Sequence, residues 1–135
     1  RKLEEEFKKN VLKNFSFLIN DFSFEIINEY KHMILFADAA IVLKVGCDFR
    51  YTKEIFCEMF LEEKRGFSVP IDYLLEEFGY KNFNLKLLDV SDMKEIRKYL
   101  RKISIFLKNN LSHLLENSNK EFMRIANKYI LYLDI

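Results

Sequence analysis

One run of apolar residues constrains this chain more than any other feature. Met93, Ile96, Leu100, Ile103, Leu107, Leu111 and Leu114 succeed one another at steps of three and four. Such steps return a side chain to the same side of a 3.6-residue helix, so the run predicts an amphipathic helix with one continuous apolar stripe. At about 1.5 Å per residue it is roughly 35 Å long, enough to cross a small domain. A rod with one apolar side must bury that side, and the rest of the sequence has to supply the covering layer. Asp89 or Ser91 is placed to start the helix, with Asp92 in a first turn whose N–H groups favour negative charge. The pattern stops at Glu116–Asn119. Ser118 with Glu121 three residues on has the spacing of a capping box, so a last helix is expected, lined by Phe122, Ile125, Tyr129 and Tyr132. A link this short makes the two helices antiparallel neighbours.

The covering layer is predicted to be a sheet. Leu3, Phe7, Val11, Phe15 and Leu18 first give an N-terminal amphipathic helix ending near Asn20-Asp21. The period then changes from 3.6 to 2, with Phe22, Phe24 and Ile26 alternating with polar residues. Met33–Ala37 and Ala40–Cys47 are β-rich; in the second, Ile41, Leu43, Val45 and Cys47 share an apolar face, and Val42, Lys44 and Gly46 are expected to be at least partly wet. Asp48-Phe49-Arg50-Tyr51-Thr52 interrupts the apolar run and Glu54–Leu61 resumes it, which reads as a hairpin. Links this short favour an antiparallel meander, because parallel strands need crossovers of a dozen residues or more. Ser68 is expected to cap a short helix with Pro70 in its first turn, Leu74, Leu75 and Phe78 on its buried side and Gly79 at its left-handed end. A connector over 80–90, anchored by Phe83, Leu85 and Leu87, leads to the long helix. The fold class is therefore α+β over residues 1–135 as one domain: an N-terminal helix, an antiparallel sheet of three to four strands from Phe22 to Leu61, and a C-terminal helical hairpin packed on it.

Composition narrows the function classes. Basic and acidic residues nearly cancel, 22 against 21, so no global field draws the chain to nucleic acid or an anionic membrane. No apolar stretch approaches the roughly 20 residues that span a bilayer, and the charged Arg1–Asn10 segment lacks the apolar core of a signal peptide. A cytoplasmic protein with no membrane partner is expected. The first residue is Arg1 rather than Met, which leaves room for sequence upstream. Phe is abundant, 14 residues beside 7 Tyr and no Trp, and most of these rings belong in a core.

The sequence offers no catalytic, metal-binding or nucleotide-binding motif. His32 and His113 have no His or Cys partner at helical spacing, and Gly46, Gly66 and Gly79 are too scattered for a phosphate-cradling loop. No Ser, Cys or Thr sits in an elbow or dyad pattern. The chain is read as not an enzyme, with no cofactor and no metal. Cys47 and Cys57 would lie nearly opposite each other across a hairpin turning near 50–53, so a bridge is conceivable, although buried free thiols are the plainer reading. Two charged features remain. Lys94, Lys98, Arg101 and Lys102 form an outward stripe on the long helix, flanked by Arg97 and Lys108. It is either a solvated helix face, the preferred reading, or a nucleic-acid footprint. Asp48, Glu54, Glu58 and Glu62, with Glu63, form an acidic set that could meet a basic protein partner or could simply guard an edge strand. These four acids are the candidate partner-binding residues.

Phe15-Ser16-Phe17-Leu18, Phe22-Ser23-Phe24, the meander around Asp48-Phe49-Arg50, and Leu114-Leu115-Glu116-Asn117 before a closing Phe122 helix carry a resemblance over most of the chain. It resembles small uncharacterised bacterial proteins, some of which look like immunity proteins of polymorphic or contact-dependent toxin systems. The resemblance implies a cytosolic protein that binds and blocks another protein without a cofactor, and it transfers no site residue. The expected function is a protein-binding module that neutralises a toxin. The alternative is a nucleic-acid-associated regulator using the basic stripe.

Overall fold

The structure, a computed structural model, describes residues 2–51, 54–64, 67–80 and 93–133. The expected helix start at Asp89, Ser91 and Asp92 and the connector anchors Phe83, Leu85 and Leu87 lie outside the described residues.

The chain enters on α1 (Lys2–Asn14), whose Phe7 and Val11 are wholly buried, and continues in α2 (Ser16–Phe22). The single helix expected here is thus two, parted at Phe15, where φ −106° and ψ 11° leave the helical well. Ser23 ends α2 in the left-handed conformation, φ 59°, and the N–H groups of Ser23 and Phe24 both turn back to the Leu18 carbonyl. That closure keeps Phe22 in the helix, where alternation alone suggests a strand.

Five strands come next in an antiparallel meander: β1 (Glu25–Glu29), β2 (Met33–Ala37), β3 (Ile41–Cys47), β4 (Ile55–Leu61) and β5 (Val69–Pro70). The sheet has one strand more than the largest number expected. β5 is two residues long and ends in proline, tolerated at a sheet edge because a missing N–H removes no interior bond. Between β2 and β3, Asp38 Oδ1 accepts from the N–H groups of Ala40 (2.8 Å) and Ile41 (2.7 Å), which pins the turn. Register places Phe36, Leu43 and Met59 side by side, and next to them Ile34, Val45 and Cys57. All six are buried, and this face meets the helices.

The opposite face is drier than expected. Leu35, Ala37, Val42 and Phe60 are buried in a second, smaller cluster, because the register stacks Val42 between Ala37 and Phe60. Lys44 and Glu58, paired across β3 and β4 beside it, are half-buried.

Ser68 does not cap the next helix. Its hydroxyl donates to Glu58 Oε2 (3.0 Å), and Pro70, extended at ψ 149°, precedes α3 (Ile71–Glu77) without a side-chain cap. Gly79 takes the left-handed conformation predicted for it, φ 80°. The last element is α4 (Met93–Leu133), interrupted at Glu116–Asn119 by non-helical backbone. Ser118 is not an extended cap residue there. It sits at φ 57° between Asn117 and Asn119, also left-handed at φ 53° and 65°, a conformation that asparagine tolerates better than most residues.

Phe78 meets Phe106 at 5.5 Å between ring centroids, while Tyr73 meets Tyr129 at 4.7 Å. Without a break, Phe106 and Tyr129 would stand roughly 34 Å apart along the axis, yet α3 is only about 10 Å long. The interruption therefore turns the chain back. The stripe predicted for the first part is the core: Ile96, Leu100, Ile103, Leu107 and Leu114 have no exposed surface.

Candidate functional site

The turn from β3 to β4 is built by one carboxylate. Asp48 N–H donates to the Glu54 carbonyl (2.9 Å), and Asp48 Oδ1 accepts from the N–H groups of Arg50 (3.0 Å) and Tyr51 (2.9 Å). An aspartate that bonds the backbone two and three residues ahead ties residues 48–51 into a local turn. Arg50 and Tyr51 stand out from the surface, and Tyr51 is 79% exposed.

Beside them opens a hollow of about 500 Å³, continuous with solvent, lined by Glu4 of α1, His32 of the β1–β2 turn, and Cys47, Asp48, Phe49, Arg50, Tyr51 and Phe56. Its walls are anchored in the core. Phe49 packs edge-on against the buried Phe7, ring centroids 5.6 Å apart and planes 82° apart. The Phe56 ring lies on Gly46, its cross-strand partner: a Cβ at that position would stand 2.3 Å from Phe56 Cζ. Glycine makes room there for an aromatic ring that occupies the space of its side chain. Lys44 Nζ is 5.9 Å from the centroid of the same ring. Cys47 N–H donates to the His32 carbonyl (2.9 Å), tying the β1–β2 turn to the end of β3.

The four acids singled out by sequence do not form one patch. Asp48 and Glu54 lie at this hairpin end, and Asp48 uses its carboxylate to shape the turn. Glu58 sits mid-strand, 3.3 Å from Lys44 Nζ and accepting the Ser68 hydroxyl, so its charge is locally balanced. Glu62 begins the 3-10 turn Glu62–Lys64 at the other end of β4, roughly 27 Å from Glu54 at about 3.4 Å per strand residue. Alternation along a strand puts Glu54, Glu58 and Glu62 on a common side in sequence, but a seven-residue strand separates its ends. Arg50, Tyr51 and Phe56 are binding candidates that sequence reasoning does not reach. The available signal is Asp48 itself, an aspartate opening a short polar link between two β-rich runs.

The basic stripe is present on the outer side of α4, where Lys94, Lys98, Arg101 and Lys102 are exposed. Two of its neighbours are engaged within the chain: Arg97 lies 3.9 Å from Glu6, and Lys108 Nζ lies 5.4 Å from the Phe17 centroid. His113 is exposed and bonded to Glu116 at 2.9 Å, and His32 is exposed at the hollow. The cysteines are free and buried. Cys47 stands opposite Ile55 and Cys57 opposite Val45, so the two are diagonal rather than directly paired. Burial raises both thiols, Cys47 to about 12 with a smaller push from Asp48, and Cys57 further still. Neither is a ready thiolate. Among the described residues, no three His, Cys, Asp or Glu side chains converge as a metal site, and no helix is long and apolar enough to cross a membrane.

Comparison with protein-family models, curated proteins and solved structures finds no match for the chain.

Proposed function

We propose that the chain is a protein-binding module that docks its partner on the β3–β4 hairpin end. One observation carries the reading: Tyr51 and Arg50 are exposed together on a segment, residues 48–51, tied by the Asp48 carboxylate, beside an aromatic-walled hollow with charged residues on its rim. Tyrosine and arginine are the residue types that dominate binding energy at protein interfaces. A turn held by its own hydrogen bonds loses little freedom on docking. The rim carries the acids Glu4 and Asp48 against Arg50, which suits a partner that inserts a basic side chain beside Phe56 and Tyr51. The sequence resemblance supplies the partner class, a toxin domain that the module would block.

The test is titration calorimetry against the product of any toxin-like reading frame found next to the gene for this chain. A stoichiometric complex is expected. Tyr51→Ala should weaken it at least tenfold and Arg50→Ala several-fold, and raised salt should leave most of the affinity in place. Binding to a nucleic-acid duplex that collapses with salt and is lost in Lys98→Ala and Arg101→Ala would favour the basic stripe instead. A partner complex indifferent to Tyr51 and Arg50 would overturn the assignment of the hairpin end.

A further inference from the structure

The break in α4 is strained, and the sequence around it does not demand a break. Asn117, Ser118 and Asn119 all sit in the left-handed region, at φ 53°, 57° and 65°. That region suits glycine; other residues enter it singly, so three in succession without a glycine make a costly arrangement. From Met93 to Leu133 the chain has neither glycine nor proline to stop a helix. The apolar spacing also runs through the break. Leu100, Ile103, Leu107, Leu111, Leu114, Phe122, Ile125, Tyr129 and Tyr132 follow at steps of 3, 4, 4, 3, 8, 3, 4 and 3, and the step of eight is two steps of four across Ser118. In an unbroken helix these side chains would form one stripe about 100° wide. Glu116, Asn117 and Ser118 are exposed, so straightening them uncovers no core of their own.

We propose that the break is a hinge through which two copies of the chain exchange their last helical segment, residues 120–133, as α4 straightens into one helix about 60 Å long. Identity of contacts selects the second copy. In the single chain Phe122 and Ile125 are buried in the core, and Tyr73 receives the rings of Tyr129 and Tyr132 at 4.7 and 5.9 Å. Glu77 holds Lys128 at 2.8 Å and Arg124 at 3.8 Å. The same segment from a second copy brings the same side chains to the same receiving surface, so each of these contacts is recovered between chains. The turn back within one chain becomes an antiparallel crossing of two long helices about a two-fold axis near Ser118. What changes is the hinge: each dimer relieves two left-handed runs, against the freedom lost when two chains associate. Exchange must first detach residues 120–133, so it is slow in the folded chain and occurs chiefly when chains fold together at high concentration. It is independent of the hairpin-end reading, because the β3–β4 turn keeps its place in each copy.

Size-exclusion chromatography of the chain refolded from urea at about 10 µM and at about 1 mM tests the exchange, since mass action favours a dimer at the higher value. A dimer is expected that grows with concentration and returns slowly to monomer on dilution. Asn117→Ala, Ser118→Ala and Asn119→Ala together favour the straight helix and resist the left-handed region, so the dimer should appear at a concentration at least tenfold lower. Asn117→Gly with Asn119→Gly eases the hinge in place and should raise that concentration by a similar factor. Carbodiimide coupling identifies the exchange itself. It joins the Glu77 carboxylate to the Lys128 amine, within one chain in the monomer and between chains in the dimer. Denaturing electrophoresis of the dimer should then show a covalent pair that Lys128→Arg abolishes. A chain monomeric at both concentrations, alanine variant included, would overturn the proposal. So would a dimer whose Glu77–Lys128 link stays within one chain. Circular dichroism checks the alanine variant; should it not fold, the glycine variant decides, and a dimer fraction equal to that of the unsubstituted chain overturns the hinge.

Discussion

Gly46 gives the sharpest local test of the sheet. A methyl group placed there stands 2.3 Å from Phe56 Cζ, 2.7 Å from Cε1 and 2.9 Å from Cε2, whereas unstrained carbon contacts lie near 3.5–4.0 Å. The ring must lift by about 1 Å or swing off the sheet. Overpacking of this kind costs about 1–3 kcal/mol. Alanine offsets about 0.5–1 kcal/mol of that, because glycine loses more freedom when a strand forms. Gly46→Ala should therefore destabilise by about 1 kcal/mol. With Phe56→Ala already in place the collision is gone and only the backbone gain remains, so the same substitution should then stabilise by about 0.5 kcal/mol or more. Urea melts of the four corners of this cycle read the coupling between the two residues. The reasoning fails if Gly46→Ala has the same sign in both backgrounds, since the ring would then not be what glycine makes room for.

Three further outcomes are expected. Leu100→Ala, at a wholly buried position of the α4 stripe, should cost about 2–5 kcal/mol in a urea melt, and Lys98→Ala on the exposed side no more than about 0.5 kcal/mol; equal midpoints would mean that the stripe is not core. Because burial raises Cys47 from 9.0 to about 12, the folded chain holds its proton longer than the unfolded chain, so stability should fall as pH rises from about 9 towards 12 and alkylation at pH 8 should await unfolding; rapid labelling of the native chain would refute this. Asn117→Gly should leave stability unchanged or raise it, and Asn117→Val should lower it by about 1–2 kcal/mol, because φ 53° suits glycine and strains a β-branched residue; thermal melts would show the order.

Periodicity reveals what each residue faces but not where one element stops and the next begins. Leu100, Ile103 and Leu107 are legible as core because a seven-fold repeat at helical spacing admits one buried side. Phe22 reads as strand because Phe22, Phe24 and Ile26 alternate equally well whether or not the first of them ends a helix, and only the left-handed Ser23 decides it. The dryness of Val42 is hidden by its neighbours Lys44 and Gly46. A lysine that lies across a ring and pairs with Glu58 leaves its strand face apolar around it. Ser68 and Ser118 have good capping spacing, yet one hydroxyl is claimed by Glu58 and the other backbone by a left-handed run, both tertiary outcomes that no local pattern contains. The hairpin end is half legible: Asp48 stands out by charge, while the exposure of Arg50 and Tyr51 on the turn it ties is visible only in the fold.

Amide hydrogen exchange of the chain, alone and saturated with whichever neighbouring gene product forms a complex with it, tests most directly whether a partner docks on the hairpin end. Docking there predicts new protection across residues 47–51 and 54–56 and at His32, with the outer side of α4 unchanged. Protection that appears instead along the exposed side of residues 94–108, with the hairpin end exchanging as in the free chain, would contradict it.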